Sequence, residues 1–217
     1  MKKVHKSPIN IIVTAGPTRE KIDPVRFISN FSTGVFGYEI AGEAARRGHN
    51  VVLISGPVSL KAPKKVKVIG VESSEEMFKA VARVSGENSC LIMAAAVSDF
   101  KPIIERTSKI NKRKRINIAL GETVDILKSL KNREDIFKIG FSLESGSLKK
   151  RALAKLKDKN LDIIVGNIVR NGVTPFGKGK KDFIVINKEG KRWEFRSASK
   201  KDMAKSIVKI AEEAFYG

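Results

Sequence analysis

Short apolar runs and amphipathic stretches alternate along most of this 217-residue chain, and that alternation constrains its fold more than any single residue does. Runs that read as strands are IIVT (11–14), VVLIS (51–55), VKVIGV (66–71), CLIMAAA (90–96), FKIGFS (137–142) and LDIIVGN (161–167). Helical periodicity falls between them at 34–47, 74–84, 124–131 and 147–158. Near-continuous apolar strands that alternate with helices need both faces covered. This predicts an α/β fold with a Rossmann-like, mostly parallel sheet and helices on both faces. The end of the chain departs from the pattern. DFIVINKEGKRWEF reads as two strands about a Lys-Glu-Gly turn, an appended C-terminal β-hairpin, and 200–214 as a closing helix. We expect one domain over 9–217 after a basic N-terminal tail over 1–8.

Charge is the second constraint. Lys and Arg number 43 against 23 Asp and Glu, a formal net charge of +20. The basic residues are spread through KAPKKVK, SKINKRKR, LKKRALAKLKDK and KGKKD with no nucleic-acid-binding signature beside them. Aromatics make up only 6% of the chain, too few for a base-stacking platform. A diffuse field that attracts polyanionic small molecules fits better than a nucleic-acid partner; a basic nucleic-acid-binding module is the alternative reading. No apolar run reaches membrane-spanning length, and MKKVHKSPIN lacks the apolar segment of a signal peptide, so the expected compartment is the cytoplasm. The lone Cys90 sits inside an apolar run and reads as a small buried hydrophobe in a reducing environment.

Ligands of open α/β sheets bind beyond the carboxyl ends of the strands, here residues 15–16, 55–57, 95–99 and 141–144. After the first strand, Gly34-x-x-Gly37 opens a helix whose free N–H groups suit a phosphate; close helix-to-strand packing explains the same glycines equally well. The second strand ends VVLISGP without the acidic residue that holds an adenosine ribose, and no Tyr-x-x-x-Lys pair exists. An NAD(P)-binding reductase is therefore disfavoured, and the absent Walker pattern excludes a P-loop ATPase. The polar detour DPVRFISNFSTG (23–34) between the first strand and its helix has no place in either motif.

That detour, read with its neighbours, carries a resemblance. VTAGPTREKIDPVRFISNFSTG, AAAVSDFKP, SKINK, VDIL, GFSLES and AKLKDKNLDIIVGN resemble phosphopantothenoylcysteine synthetase over essentially the whole chain, and its bacterial, CTP-dependent form in particular. The resemblance implies a ligase that activates 4′-phosphopantothenate as an acyl-cytidylate and passes the acyl group to cysteine, with CTP as co-substrate and Mg²⁺. It also implies a homodimer and, because the chain has no room for the flavin-dependent decarboxylase often fused to this family, a free-standing enzyme.

The resemblance also implies roles. Asn30 would hold the acyl-cytidylate, and an amide suits this because it both donates and accepts. Arg26 would cross the dimer interface to the substrate phosphate, which its guanidinium fork matches. Gly16, Ser32, Gly34 and Gly37 would cradle nucleotide phosphates, and Ala95 and Ala96 would let substrate lie against backbone. Asp99 would bind Mg²⁺ or a sugar hydroxyl. Lys109, with Lys112 beside it, would steady the acyl-phosphate charge. Asp125 and Ile126 would shape the nucleotide pocket, Phe141 would wall it, and Lys155 and Lys159, one helical turn apart, would contact CTP. Three segments depart from the family pattern: Val35 and Phe36 replace the Lys-Met of Ser-x-Gly-Lys-Met-Gly, Glu122 and Val124 replace the Lys and Pro before Asp-Ile-Leu, and FGKGKKDF is unusually basic.

Overall fold

The computed structural model describes residues 7–112, 115–144, 148–168 and 179–217. In chain order the elements are β1 (Asn10–Ala15), β2 (Arg19–Lys21), β3 (Phe27–Ser29), α1 (Val35–Arg46), β4 (Asn50–Ser55), β5 (Lys67–Gly70), α2 (Ser74–Val84), β6 (Ser89–Met93), β7 (Phe100–Pro102), β8 (Leu120–Glu122), α3 (Ile126–Ser129), β9 (Ile136–Glu144), α4 (Leu148–Asp158), β10 (Ile163–Ile168), β11 (Lys181–Asn187), β12 (Arg192–Ala198) and α5 (Lys200–Phe215).

Eight strands form one sheet in the order β12-β11-β10-β9-β6-β1-β4-β5. The pairings from β5 to β10 are parallel, and β11 and β12 add antiparallel. The hairpin thus extends the main sheet rather than standing apart from it. The apolar strands alternate between two cores, as a sheet covered on both faces requires. Ile11, Val13 and Ala15 of β1 enter one core with α1 and α5, while Ile12 enters the other with α2, α3 and α4. Cys90 is fully buried between β6 neighbours, and burial pushes its thiol pKa far up, so it acts as a core residue.

The strand order reverses at β1. From it the chain steps outward to β4 and β5, then returns through α2 to β6 on the other side and continues to β9 and β10. The carboxyl ends of β1 and β6 therefore flank the topological switch point, where such sheets open a crevice. A bridge between Pro17 and Ala96, with the Ala96 N–H donating to Gly16 O at 2.9 Å, spans that point.

Two local expectations change. β6 stops at Met93 instead of running to Ala96, because the Ala95 N–H turns to the Thr14 hydroxyl (3.2 Å) and Ala96 to Gly16. α3 has four residues, not eight, since Asp125 is extended and caps it through the Lys128 N–H (3.1 Å). Two hairpins of three-residue strands, β2–β3 and β7–β8, form where the sequence pattern assigns no element. Residues 1–6 of the basic tail and residues 176–178 of the FGKGKKDF segment lie outside the described residues.

Candidate functional site

At the switch point α1 starts from Gly34, whose φ of 75° is a left-handed conformation that glycine adopts without strain. No side chain caps the helix from this residue, so the first-turn N–H groups remain available beyond it. Gly37 is required for a different reason. A Cβ there would stand 2.5 Å from the Ala15 Cβ and 2.9 Å from Thr14 O, so its absence lets α1 lie directly on β1. Gly16 sits behind this junction, against the Gly34 backbone and Val58. Packing thus accounts for Gly16 and Gly37, while the mouth of α1 belongs to Ser32, Gly34 and the residues that follow. The Ser32 hydroxyl accepts the Gly34 N–H at 3.4 Å.

Two cavities meet here. One lies over the N-terminus of α1 and is closed by Phe36, Phe141, Phe183, Asn167 and Lys200. The other, ≈ 520 Å³, holds Asn30, Asp99, residues 122–127 and the α4 lysines Lys155 and Lys159. Its size falls within the range of about 300–1,000 Å³ usual for ligand pockets. Ala95, Ala96, Phe141 and Leu143 line both, so the two form one continuous cleft. Phe141 is fixed edge-on to Phe36 at 5.4 Å, and Phe36 in turn meets Phe183 at 5.6 Å.

The polar groups of the cleft are held in place. Asn30 donates through Nδ2 to Ala96 O (3.0 Å) and Val97 O (3.1 Å), which leaves Oδ1 as the atom it can offer to a ligand's donor. Ser98 and Thr18 buttress the same loop: the Ser98 N–H reaches the buried Thr18 hydroxyl at 2.9 Å, and Thr123 donates to Ser98 O at 2.5 Å. Asp99 follows, exposed into the cleft. On the far wall Lys155 donates to the buried Ser142 hydroxyl at 3.1 Å, and Lys159 pairs with Asp125 at 2.9 Å. Burial alone would raise the Asp125 carboxyl, but the Lys159 ammonium and the Lys128 N–H outweigh it and hold that pKa below the ordinary value. Among the described residues no group of three His, Cys, Asp or Glu side chains forms a metal cage. A magnesium ion held mainly by nucleotide phosphates needs only one or two carboxylates, which Asp99 can supply.

Arg26 and Lys109 stand elsewhere. Arg26 is exposed and paired with Asp23 at 2.9 Å, and Lys109 lines a separate cavity with Ile22, Arg106 and Ile110. Arg26 and the segment that carries Lys109 are joined through Asp23, a buried carboxylate. Its Oδ1 accepts the Val25 and Arg26 N–H groups at 2.8 Å, and its Oδ2 accepts the Ile110 N–H at 3.1 Å. Burial favours the neutral acid, yet these N–H donors and the Arg26 charge together hold the carboxyl below its ordinary value. Exposed apolar side chains lie near both: Val25 and Phe27 adjoin Arg26 in the chain, and Ile103, Ile104 and Ile116 line the Lys109 cavity.

Four residues of the site are absent from the sequence reading. Asn167, one residue before the end of β10, lies beside the cleft, with an Oδ1 that is shielded from solvent and accepts no hydrogen bond among the described residues. The strand-end rule that marked 141–144 would have found it. Ser142 and Asp23 lie inside GFSLES and the 23–34 detour, where residue type alone does not distinguish them. Lys200 has no local signal, because it reaches the cleft only through the packing of α5 on α1.

Comparison with known proteins agrees with this architecture. Residues 7–214 match the family model described as the DNA/pantothenate metabolism flavoprotein C-terminal domain. The coenzyme A biosynthesis bifunctional protein CoaBC of Bacillus subtilis is 41% identical over 203 residues, covering 92% of this chain and 50% of that protein. CoaBC of Escherichia coli is 39% identical over 181 residues, 78% of this chain and 45% of that protein. The chain spans about half the length of the curated relatives it matches. Among solved structures, the C-terminal domain of CoaBC superposes with a TM-score of 0.82 at 36% identity over 96% of each chain. Cab2 mutant H337A, in complex with phosphopantothenate-cysteine, shares the fold at a TM-score of 0.77 and 17% identity, over 96% of this chain and 87% of that one. The chain belongs to the family of the DNA/pantothenate metabolism flavoprotein C-terminal domain.

Proposed function

We propose that this chain is a phosphopantothenate–cysteine ligase that uses CTP. The observation that carries the reading is the continuous cleft at the switch point, which brings Asn30, Asp99, Lys155 and Lys159 together with the N-terminus of α1. Membership of a family whose relatives are named for coenzyme A biosynthesis supports it.

In this reading a carboxylate oxygen of 4′-phosphopantothenate attacks the α-phosphorus of CTP, and pyrophosphate leaves. The cysteine amine then attacks the acyl carbon, loses a proton and expels CMP, leaving the amide. Both steps bring anions together, so charge neutralisation and positioning are the main catalytic tasks. Lys155 and Lys159 steady the nucleotide, Asp125 and Ile126 shape the floor beneath it, and Asn30 Oδ1 accepts from the pantothenoyl moiety. Mg²⁺, held by Asp99 and the phosphates, would neutralise the polyphosphate. The +20 charge of the chain enriches such anions near the cleft.

Arg26 and Lys109 enter through a homodimer. The exposed apolar surface around them is of the kind that marks protein interfaces. Pairing two copies through it would carry Arg26 of one protomer to the substrate phosphate in the other's cleft. Lys109, whose neighbour Ile110 donates its N–H to the same Asp23, would move with it toward the acyl-phosphate. Among the described residues no helix is long and apolar enough to cross a membrane. Incubation with 4′-phosphopantothenate, cysteine, CTP and Mg²⁺ should release pyrophosphate only when phosphopantothenate is present. Parallel reactions with ATP test the nucleotide, and no release with either nucleotide would overturn the proposal.

A further inference from the structure

Strands β2 and β3 form a two-stranded sheet of their own, three residues on each side, apart from the eight-stranded sheet. A lone hairpin of that length is marginally stable in water, so its position has to be imposed by what it touches. The demand is exacting: the connection between its strands carries Asp23 and Arg26, and Asn30 follows directly on β3. Its two faces differ. On the outer face the Arg19 guanidinium lies over the Phe27 ring at 4.5 Å. On the inner face Glu20, the middle residue of β2, is 4% exposed and points away from Arg19 and Lys21.

Glu20 reaches across to α2. Its Oε1 accepts the Ser74 N–H at 2.9 Å, over 54 positions of chain. That N–H belongs to the first residue of α2, where a helix leaves backbone donors without partners of its own. Ser73 accepts the Glu76 N–H at 3.2 Å from the helix's own cap, and Glu20 accepts from Ser74 out of a different element. The positive end of the α2 dipole favours a carboxylate at this point. α2 is itself fixed, with Met77 and Val81 fully buried in the core that holds Ile12 and Ile54. Two further links join the hairpin to the same segment: the Arg19 N–H donates to Glu72 O at 2.8 Å, and Lys21 pairs with Glu72 at 3.0 Å. The ion pair is exposed at both ends and contributes little, whereas a charge-assisted hydrogen bond out of solvent contributes more.

We propose that Glu20 is a positioning residue: by tying the β2–β3 hairpin to the N-terminus of α2, it sets where Arg26 and Asn30 stand. Ile28 is its partner across the hairpin, two residues before Asn30, and Asp23 comes three residues after Glu20. A tilt of the hairpin about this attachment moves the loop that holds Arg26 and the amide that faces the cleft together. The wall formed by Asp125 and Lys159 is built on α3 and α4 and keeps its place. The roles of Arg26 and Asn30 toward phosphopantothenate rest on the function proposed above; the attachment of the hairpin does not.

Two measurements on the wild type, Glu20→Met, Glu20→Asp, Glu20→Gln and Lys21→Met test this. The first is amide hydrogen exchange over β2 and β3, read by mass spectrometry without ligand. It should quicken about tenfold in Glu20→Met, which removes the acceptor. It should also quicken in Glu20→Asp, which keeps the charge but is one methylene short of Ser74. Glu20→Gln retains Oε1 and should stay within about threefold of the wild type, and the exposed control Lys21→Met within about twofold. The second is calorimetric titration, which gives a split that a purely structural role would not. Binding of 4′-phosphopantothenate should weaken about tenfold in Glu20→Met and Glu20→Asp and recover in Glu20→Gln, while binding of CTP with Mg²⁺ stays within about twofold. Unchanged hairpin exchange in both Glu20→Met and Glu20→Asp would overturn the attachment. Faster exchange with equal loss of both ligands, or of neither, would overturn the positioning role. If Glu20→Met fails to fold, Glu20→Asp against Glu20→Gln carries the same comparison. A wild type that binds neither ligand would strike the proposed function and with it the substrate role of the hairpin, while exchange still decides the attachment.

Discussion

Asp23 Oδ2 accepts the backbone N–H of Ile110 at 3.1 Å, joining two loops that lie 87 positions apart. The same oxygen holds the Arg26 guanidinium at 2.9 Å. One buried carboxylate therefore sets the position of both Arg26 and the segment that carries Lys109. Replacing Asp23 by Asn removes the charge and one acceptor while keeping the shape. We expect kcat/KM for phosphopantothenate to fall by about one to two orders of magnitude, the scale of misplaced catalytic groups, with CTP binding little changed. Steady-state kinetics with each substrate varied in turn checks this.

The same carboxylate gives a pH signature. Its folded-state pKa lies below the ordinary 3.8, so its stabilisation is complete above that value and is lost as pH falls through the lower folded value. The stability difference between wild type and Asp23→Asn should therefore be constant from neutral pH down to about 5 and shrink below about 4. Urea midpoints measured across that interval give the comparison, and a gap that widens on acidification would contradict it.

Complementation tests the interfacial role proposed for Arg26. Arg26→Ala and Asn30→Ala should each be nearly inactive in amide formation alone, although Asn30→Ala should still release pyrophosphate. A mixed dimer has one cleft with its own Asn30 and the partner's Arg26 intact. Random reassortment makes half the dimers mixed, so mixing should restore about one quarter of wild-type activity. No recovery after denaturation and joint refolding would remove Arg26 from the partner's cleft.

Lys138 makes a stability prediction with a functional readout. This β9 lysine is 2% exposed, and its Nζ donates to Leu130 O (3.3 Å), Lys131 O (3.4 Å) and Arg133 O (2.8 Å), just past α3. Lys138→Met removes the donor these carbonyls share and should cost about 1–3 kcal/mol. Because α3 is capped by Asp125, the partner of Lys159, the KM for CTP should rise as well. Denaturant unfolding and CTP saturation curves measure the two effects.

Gly37→Ala separates packing from ligand binding. Alanine is the better helix former, yet its Cβ would meet Ala15 and the Thr14 carbonyl on a strand that cannot retreat. The overpacked junction should lose about 1–3 kcal/mol, read from the melting transition without any ligand present.

Which features were legible in the sequence follows from the range over which each is specified. Strands buried on both faces announce themselves as apolar runs, so β1, β4, β6, β9 and β10 were evident, as was the α2 boundary, where Ser73 caps Glu76. REK and FIS, three residues each, are too short to show a period, and their pairing depends on the loop that Asp23 organises. The helix expected at 124–131 shrank because Asp125 serves as a cap rather than an interior residue. Asn30 and the mouth of α1 were found through the motif between β1 and α1. Asn167 and Lys200 were not, since they join the cleft through sheet pairing and helix packing far along the chain.

The central claim is that a carboxylate is activated on the nucleotide's α-phosphate within this cleft. Its most direct test uses phosphopantothenate labelled with ¹⁸O in the carboxylate, incubated with cysteine, CTP, Mg²⁺ and the protein, followed by mass spectrometry of the released CMP. Transfer of one labelled oxygen to the CMP phosphoryl group is the result this account predicts. Amide product accompanied by unlabelled CMP, or by a nucleoside diphosphate and phosphate, would contradict it.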